Sequence, residues 1–404
     1  MFCKTFLKTV AVKERVKFNS LFKKLERGKM KFKPFELERW FVKYEHDCEI
    51  MMGESGVKPL TLKELLDLTG NSIDKVLDTK LGYGWSNGLP KLRELIAEEY
   101  EELDTNHIVV TNGAIEANFI TSYTLLEPNS EVITSFPTYA QLWQVGENLG
   151  ARVKKWRLLM DNKYKPNIDQ LAGMISENTD LIIINYPNNP SGACIERTDL
   201  EEICALAEQY NIPVLSDEIY RGLEYKTTDR APPAADLYEN AISVAGLSKV
   251  YGLPGLRIGW LACQNKELLK RIWSFRDFTS ICNGVLNEKV AEIALQNREL
   301  LRERGRKIAV NNFEILKQWV DGHSDVISWV PPKAAVLTML MYHFEMDSET
   351  FCKGLAEEQS VFTAPGSCFE TEKQFRVGFG YDTERLKEGL KRLNEYLESL
   401  RDES

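Results

Sequence analysis

The chain of 404 residues is short of several things. It has only four histidines, none in ligand spacing, which argues against a metal centre. It has no CxxC pair. Its eight cysteines stand scattered at positions 3, 48, 194, 204, 263, 282, 352 and 368, several within apolar patterns. Buried free thiols and a reducing, cytoplasmic compartment are the expectation. No apolar run approaches the roughly 18 to 20 residues of a membrane helix. The longest, AAVLTMLMY at 334–342, is half that, so a membrane partner is not expected. Internal repeats and low-complexity linkers are also lacking. The net charge is −9, but the residues ahead of Met30 carry +7, leaving −16 on the rest. An acidic body of this kind excludes nucleic acid as the expected partner.

What is present is an ordinary globular composition, 43% hydrophobic and 27% charged, with length enough for about two to three domains. The basic arm at 1–30 leaves three readings open: a transit peptide, an extension upstream of a start at Met30, or a solvated helix. A single serine and lysine in place of arginine favour an extension or solvated arm over targeting. From about residue 80, short apolar runs alternate with longer amphipathic ones, the signature of a mostly parallel sheet covered by helices. The predicted strands are HIVVT (107–111), EVITS (131–135), LIIIN (181–185), IPVLS (212–216), AISVA (241–245) and IGWLAC (258–263). After about 290 the texture changes. Long charged helical patterns, NEKVAEIALQNRELLRERGRKIAVNNFEILKQWV and TERLKEGLKRLNEYLESL, flank the short strands VISWV, AAVLTMLMY and QFRVGFG. The expected organisation is an N-terminal segment (31–75) packing with a smaller α+β domain (301–404), and a large α/β domain between them (76–300).

Ligands of open parallel sheets bind beyond the carboxyl ends of the strands. That is where this chain puts its unusual residues. HIVVT runs into TNGAIEA, a glycine turn entering a helix whose first N–H groups can hold an anion. EVITS is followed by FPTYAQ, and LIIIN by YPNNPSG. IPVLS is followed by Asp217 and Tyr220, and AISVA by Lys249 and Arg257. Taken singly, each has a plain structural alternative: YPNNPSG is good turn chemistry, and Asp217 suits a helix start. The stretch AGLSKVYGLPGLRIGW (245–260) is harder to dismiss, because two isolated cations in a glycine-rich apolar run call for an anion or a covalent partner.

In order and spacing these residues resemble the class I/II aminotransferases, pyridoxal-phosphate enzymes of fold type I. The resemblance rests on SKVYGLPGLRIGW from Ser248, on Asn189-Pro190-Ser191-Gly192, on Asp217 to Tyr220, and on Tyr83, Gly88, Leu92 and Arg93. It covers roughly residue 31 to the end. It implies a mostly parallel mixed sheet in a large domain plus a smaller α+β domain. It also implies pyridoxal 5'-phosphate as cofactor, a homodimer with shared sites, and an amino acid and a 2-oxo acid as substrates. Lys249 would form the Schiff base and later act as base at the substrate Cα. Asp217 would hold the ring nitrogen protonated, Tyr220 and Asn189 would bond the ring oxygen, and Tyr139 would stack on the ring. Arg257, Ser248 and the helix start at Gly113, Ala114 and Ile115 would hold the phosphate, with Tyr83 reaching the neighbouring subunit's phosphate. Arg376, helped by Asn189, would grip the substrate carboxylate.

The chain departs from the family pattern in three places. Gly246 stands three residues before the lysine, where relatives carry a phosphate-binding serine, and Ile115 stands where a hydroxyl is common. A missing bond of this kind is worth roughly 0.5 to 1.5 kcal/mol, so Gly246→Ser is expected, where the side chain fits, to tighten cofactor retention without changing substrate choice. The third departure is MMGESGVKPLTLKEL (51–65), which replaces a G-x-G-x-P-D pattern and is expected to line the substrate entrance. The resemblance implies a ping-pong aminotransferase. A lyase, decarboxylase or cyclising enzyme on the same fold is the alternative. A cofactor-sensing regulator is disfavoured by the short segment ahead of the domain, and an inactive relative by the joint retention of Lys249, Asp217, Tyr220 and Arg257.

Overall fold

The strand LIIIN shows how this sequence makes its sheet. Ile182 and Ile184 pack into one apolar cluster with Ile133 and Val214, while Leu181 and Ile183 pack into another with Val132, Leu215 and Ile242. Alternate side chains of a strand point to opposite faces, so a strand apolar at every position is one covered on both sides. The computed structural model describes residues 32–402. The basic arm and the alternative start at Met30 lie outside them. The description that follows concerns the contact unit that begins at Phe35.

In chain order the elements that matter are helix α1 (Glu36–Tyr44) and strands β1 (Ile50–Met51) and β2 (Ile108–Thr111), then helix α2 (Ala114–Leu125). Strands β3 (Glu131–Phe136), β4 (Arg152–Arg157), β5 (Thr179–Asn185), β6 (Val214–Asp217), β7 (Ala241–Gly246) and β8 (Gly259–Ala262) follow. Helices α3 (Val285–Gln296) and α4 (Arg298–Asp321) lead to β9 (Ile327–Trp329), β10 (Leu337–Tyr342), β11 (Val361–Phe362), β12 (Ala364–Pro365), β13 (Gln374–Gly378) and helix α5 (Thr383–Asp402). Seven strands form the main sheet in the order β2-β8-β7-β6-β5-β3-β4, parallel from β7 to β4, with β8 antiparallel to both β7 and β2. The fold is the α/β architecture expected, with a mostly parallel mixed sheet. Connections leave β3 toward β4 on one side and β5 toward β6 on the other, which opens a crevice at the carboxyl ends of β3, β5 and β6.

Two features differ from the sequence reading. Strand β4, RVKKWR, is not among the predicted strands. It is an edge strand with only Trp156 fully buried, and its lysines are the residues that discourage pairing with a further chain. The long pattern from 287 to 320 is two helices. Asn297 breaks it with φ −117° and ψ 29°, and its side-chain amide donates back to the Ile293 carbonyl at 2.8 Å. A side chain that offers the backbone such a local bond competes with helix continuation.

A second, antiparallel sheet has the order β12-β13-β10-β9. The segment after α1 joins this part of the chain: β1 pairs in parallel with β11, Ile50 opposite Val361, and the Trp40 indole donates to the Thr363 carbonyl at 2.8 Å. Residues 53–56 then cross over β13. Gly378 donates its N–H to the Met52 carbonyl at 2.6 Å, and a Cβ at Gly378 would lie 1.7 Å from the Glu54 carbonyl oxygen. The glycines of VGFG are what let this crossing occur. The seven cysteines among the described residues are all free. No described helix is long and apolar enough to cross a membrane.

Overpacking a tight contact costs roughly 1–3 kcal/mol. Gly378→Ala, which must push a backbone carbonyl aside, is expected at or above the upper end of that range. A thermal melt reads it, and an unchanged Tm would show that residues 53–56 are not held by β13.

Candidate active site

The crevice opens into a cavity of about 300 Å³. Lys249, Asp217, Tyr220, Asn189, Tyr139, Ala114, Ile115, Ser248, Arg257 and Arg376 all line it. Gly113 caps α2 directly behind it. Tyr83 does not reach it: the side chain lies in the loop before residue 90, 91% exposed.

Its anion-binding wall is built by close backbone approach. Gly113, at φ +83°, is the N-cap of α2, and a Cβ there would lie 2.5 Å from Nη2 of Arg257. A Cβ on Gly259 would lie 2.3 Å from the Ala114 nitrogen. These two glycines bring the start of α2 against β8 and leave room for the guanidinium. Bonds within α2 begin at the Glu116 N–H, so the Ala114 and Ile115 amides precede them at the positive end of the helix dipole. Arg257 donates only to the carbonyls of Pro254 (3.1 Å) and Asn112 (3.4 Å), and no described carboxylate pairs with it. The acid of the first turn, Glu116, is taken up elsewhere, by the Asn112 N–H, Ser280 and Arg276.

Gly246 corrects an expectation. It ends β7 opposite Gly259, and a Cβ would meet the Ile258 carbonyl oxygen at 2.9 Å and the Gly259 Cα at 3.0 Å. A serine cannot be added there without moving the strand that leads out of Arg257. The glycine is a packing requirement rather than a missing phosphate ligand.

Asp217 ends β6 and is 4% exposed. It accepts from Nδ2 of Asn118 (2.7 Å) and the Ile219 N–H (3.1 Å). Burial nevertheless raises its carboxyl to about 6, because two neutral donors offset only part of the lost hydration. Tyr220 is buried without a hydrogen bond meeting ordinary geometry, and burial raises its phenol to about 12, with Ser55 easing the shift. Nζ of Lys249 donates to Oγ of Ser55 at 2.8 Å. Burial pulls this amine down to about 8, with Arg376 and Arg257 adding to the shift and Glu54 and Glu38 opposing it. A far larger neutral, nucleophilic fraction near physiological pH than a free lysine has is the result.

The loop YPNNPSG is a buried, internally bonded structure. Asn185 accepts from the Asn189 N–H (2.8 Å), Ser191 donates to Asn188 (2.6 Å), and Asn188 donates to the Pro137 carbonyl (3.1 Å). Asn189 Oδ1 is thereby aimed at Nη1 of Arg376, 3.0 Å away. The other Arg376 terminal nitrogen donates to the Gly53 carbonyl at 2.8 Å. Arg376 is 1% exposed, its Nε has no partner, and it pairs with no described carboxylate. A buried guanidinium held by carbonyls alone is a strong attractor for an anion. Tyr139 donates its hydroxyl to Glu38 at 2.9 Å and rests its ring against Phe35 with centroids 5.0 Å apart.

Sequence reasoning missed Asn118, Gln141, Glu38 and the individual roles of Glu54 and Ser55. Asn118 carried little signal, as one polar residue among several in this helix, one turn after Ala114. The segment holding Glu54 and Ser55 was singled out, but nothing local tells which of its side chains face inward. Glu38 sits on a helix far away in sequence and carried no signal.

These residues fit a flat, phosphorylated, pyridine-type cofactor. An anion cradle lies at a helix start, a buried carboxylate waits for a cationic ring nitrogen, and an amine with a lowered pKa stands in the same cavity. The fold and cradle thus define a pyridoxal-phosphate-dependent enzyme. The chain belongs to the class I and II aminotransferase family, whose family model matches residues 73–393. A pyridoxal-phosphate-dependent aminotransferase from Streptococcus suis superposes with a TM-score of 0.88 at 34% identity, covering 92% of this chain and 99% of that one. A pyridoxal-phosphate-dependent cyclase, OrfR, superposes with a TM-score of 0.84 at 27% identity, covering 92% and 98%. Capreomycidine synthase of Streptomyces vinaceus is 28% identical over 366 residues, 89% of this chain and 93% of that protein.

Two outcomes are expected. The Asp217 carboxyl is raised, so its proton is held more tightly in the fold, and ionising it costs stability. That cost is fully present above about pH 6 and gone below about pH 4. Cofactor-free Asp217→Asn should therefore melt higher than wild type at pH 8, by up to about 3 kcal/mol, and lose the advantage toward pH 4, while its cofactor retention falls. Gly246→Ser should lower both Tm and cofactor retention, measured by melting and by dialysis. Tighter retention would show that a hydroxyl fits there.

Proposed function

We propose that this chain is an aminotransferase, moving an amino group from an amino acid to a 2-oxo acid in two successive halves. The observation that carries this reading is Arg376, a buried guanidinium with no described carboxylate partner, on the same cavity as an amine held near 8. Pyridoxal phosphate supplies an aldehyde that condenses with amines and a ring that accepts the electron pair left at Cα. Everything else falls to the chain. Arg257 and the α2 amides hold the phosphate, with Ser248 beside them. Asp217, backed by Asn118, keeps the proton on the ring nitrogen. Tyr220 and Asn189 would bond the ring oxygen, and Tyr139 would pack on the ring. Arg376 fixes the substrate carboxylate, which sets Cα and its hydrogen toward Lys249. Lys249 would take that proton and deliver it to the cofactor carbon on the other side of the amino nitrogen.

The same reading makes the enzyme a cytoplasmic homodimer. Leu77, Leu81, Tyr83, Trp85 and Phe278 are large apolar side chains more than half exposed, and a second copy covering them would carry Tyr83 toward the neighbour's phosphate site. It also takes residues 76–300 as the cofactor domain and 301–404 as the small domain. A second reading, a lyase, decarboxylase or cyclising enzyme, is favoured by Glu38 and Glu54, two further acid–base groups in the cavity. The similarity to capreomycidine synthase and to the cyclase supports it too.

Incubating the loaded enzyme with single amino acids and no oxo acid separates the two. One equivalent of oxo acid per site without ammonia is the transaminase outcome. Repeated turnover, releasing ammonia or a rearranged product, would replace it with the second reading. In either case Lys249→Ala should slow exchange of the Cα hydrogen by roughly 10²- to 10⁴-fold.

A further inference from the structure

Charge in the cavity does not balance once the cofactor and a substrate carboxylate are assigned. Arg257 has the phosphate, Arg376 the carboxylate, Lys249 the aldehyde and Asp217 the ring nitrogen. Glu54 and Glu38, both lining the cavity, are left over. Glu54 is half-buried, and no salt bridge or hydrogen bond to its carboxylate occurs among the described residues. Its backbone is pinned where its carbonyl crosses Gly378. Its charge is felt at Lys249, Arg376 and Tyr220. Glu38 accepts only the Tyr139 hydroxyl, at 2.9 Å, and also acts on Lys249.

The cavity is otherwise prepared for a ligand. Nε of Arg376 and Oε1 of Gln141, both buried on its lining, have no partner. With the carboxylate on Arg376 and the Cα hydrogen toward Lys249, the substrate side chain is left the wall formed by α1 and residues 54–55. That wall presents Leu37 and Phe41 together with Glu38 and Glu54. An apolar stem followed by a positive charge matches it; a dicarboxylic side chain would meet two like charges.

We propose that the substrate is an amino acid with a long aliphatic side chain ending in an ammonium or guanidinium group. Its stem lies on Leu37 and Phe41 and its charge on Glu54, with Glu38 as the second carboxylate. This rests on the pyridoxal-phosphate reading of the cavity and holds for either reaction type.

The test compares isosteric pairs on the holoenzyme: arginine against citrulline and lysine against norleucine, with glutamate as the opposite charge. Both kcat/KM and the dissociation constant, from equilibrium titration of the bound cofactor's absorbance, are measured. Hydrogen bonds to charged groups predict a preference of roughly 10- to 100-fold for the cation. Glu54→Gln should shrink that ratio to within about threefold, and Glu38→Gln should shrink it partly. Equal handling of arginine and citrulline by wild type, or a ratio unchanged in Glu54→Gln, overturns the inference and leaves the enzyme class standing. A holoenzyme whose absorbance responds to no amino acid overturns both.

Discussion

The close approach of the α2 N-terminus to strand β8 is the contact on which the site depends. It exists because Gly259 has no Cβ to separate the two backbones, while Gly113 leaves room for the Arg257 guanidinium. From that one contact follow the first-turn amides facing the cavity, the position of Arg257 beside them, and Asn118 one turn on, against Asp217. An anion site and a ring-nitrogen site are thereby set at a fixed spacing by a single helix. Gly246, pressed on the same strand, belongs to this constraint.

The second organising fact is that the cavity holds charges whose partners are not in the chain. Asp217 and Arg376 are both buried, each satisfied only by neutral groups, and Lys249 is driven toward its neutral form. Such an arrangement opposes folding, since buried ions without counter-ions lose hydration and gain little in return. Several buried or partly buried charges elsewhere are paired, Glu131 with Lys154, Glu99 with Arg298 and Arg302, Glu224 with Arg230, whereas buried Glu288 has no such partner among the described residues.

The sheet was legible because its strands are buried on both faces and read as continuous apolar runs; the edge strand β4, with one face wet and lysine-rich, was not. The polar residues after each strand end were legible for a topological reason, since parallel strands bring their carboxyl ends together. Helical periodicity could not foretell the break at Asn297, which depends on a side chain choosing its own backbone. Nor could strand periodicity foretell Gly246, whose identity is dictated by the opposite strand.

Sequence by itself determined the chemical inventory: a lysine, an aspartate, a tyrosine and two arginines, placed at strand ends in an order that resembles one enzyme family. Only the tertiary structure decided which of them share a cavity, that Tyr83 is not among them within one chain, and that Glu38, Glu54, Ser55 and Asn118 are. The physical reason is distance along the chain. Residues near the amino terminus, such as Glu38 and Glu54, reach the lysine only because residues 53–56 are laid across β13. That crossing is licensed by glycines more than 300 positions away.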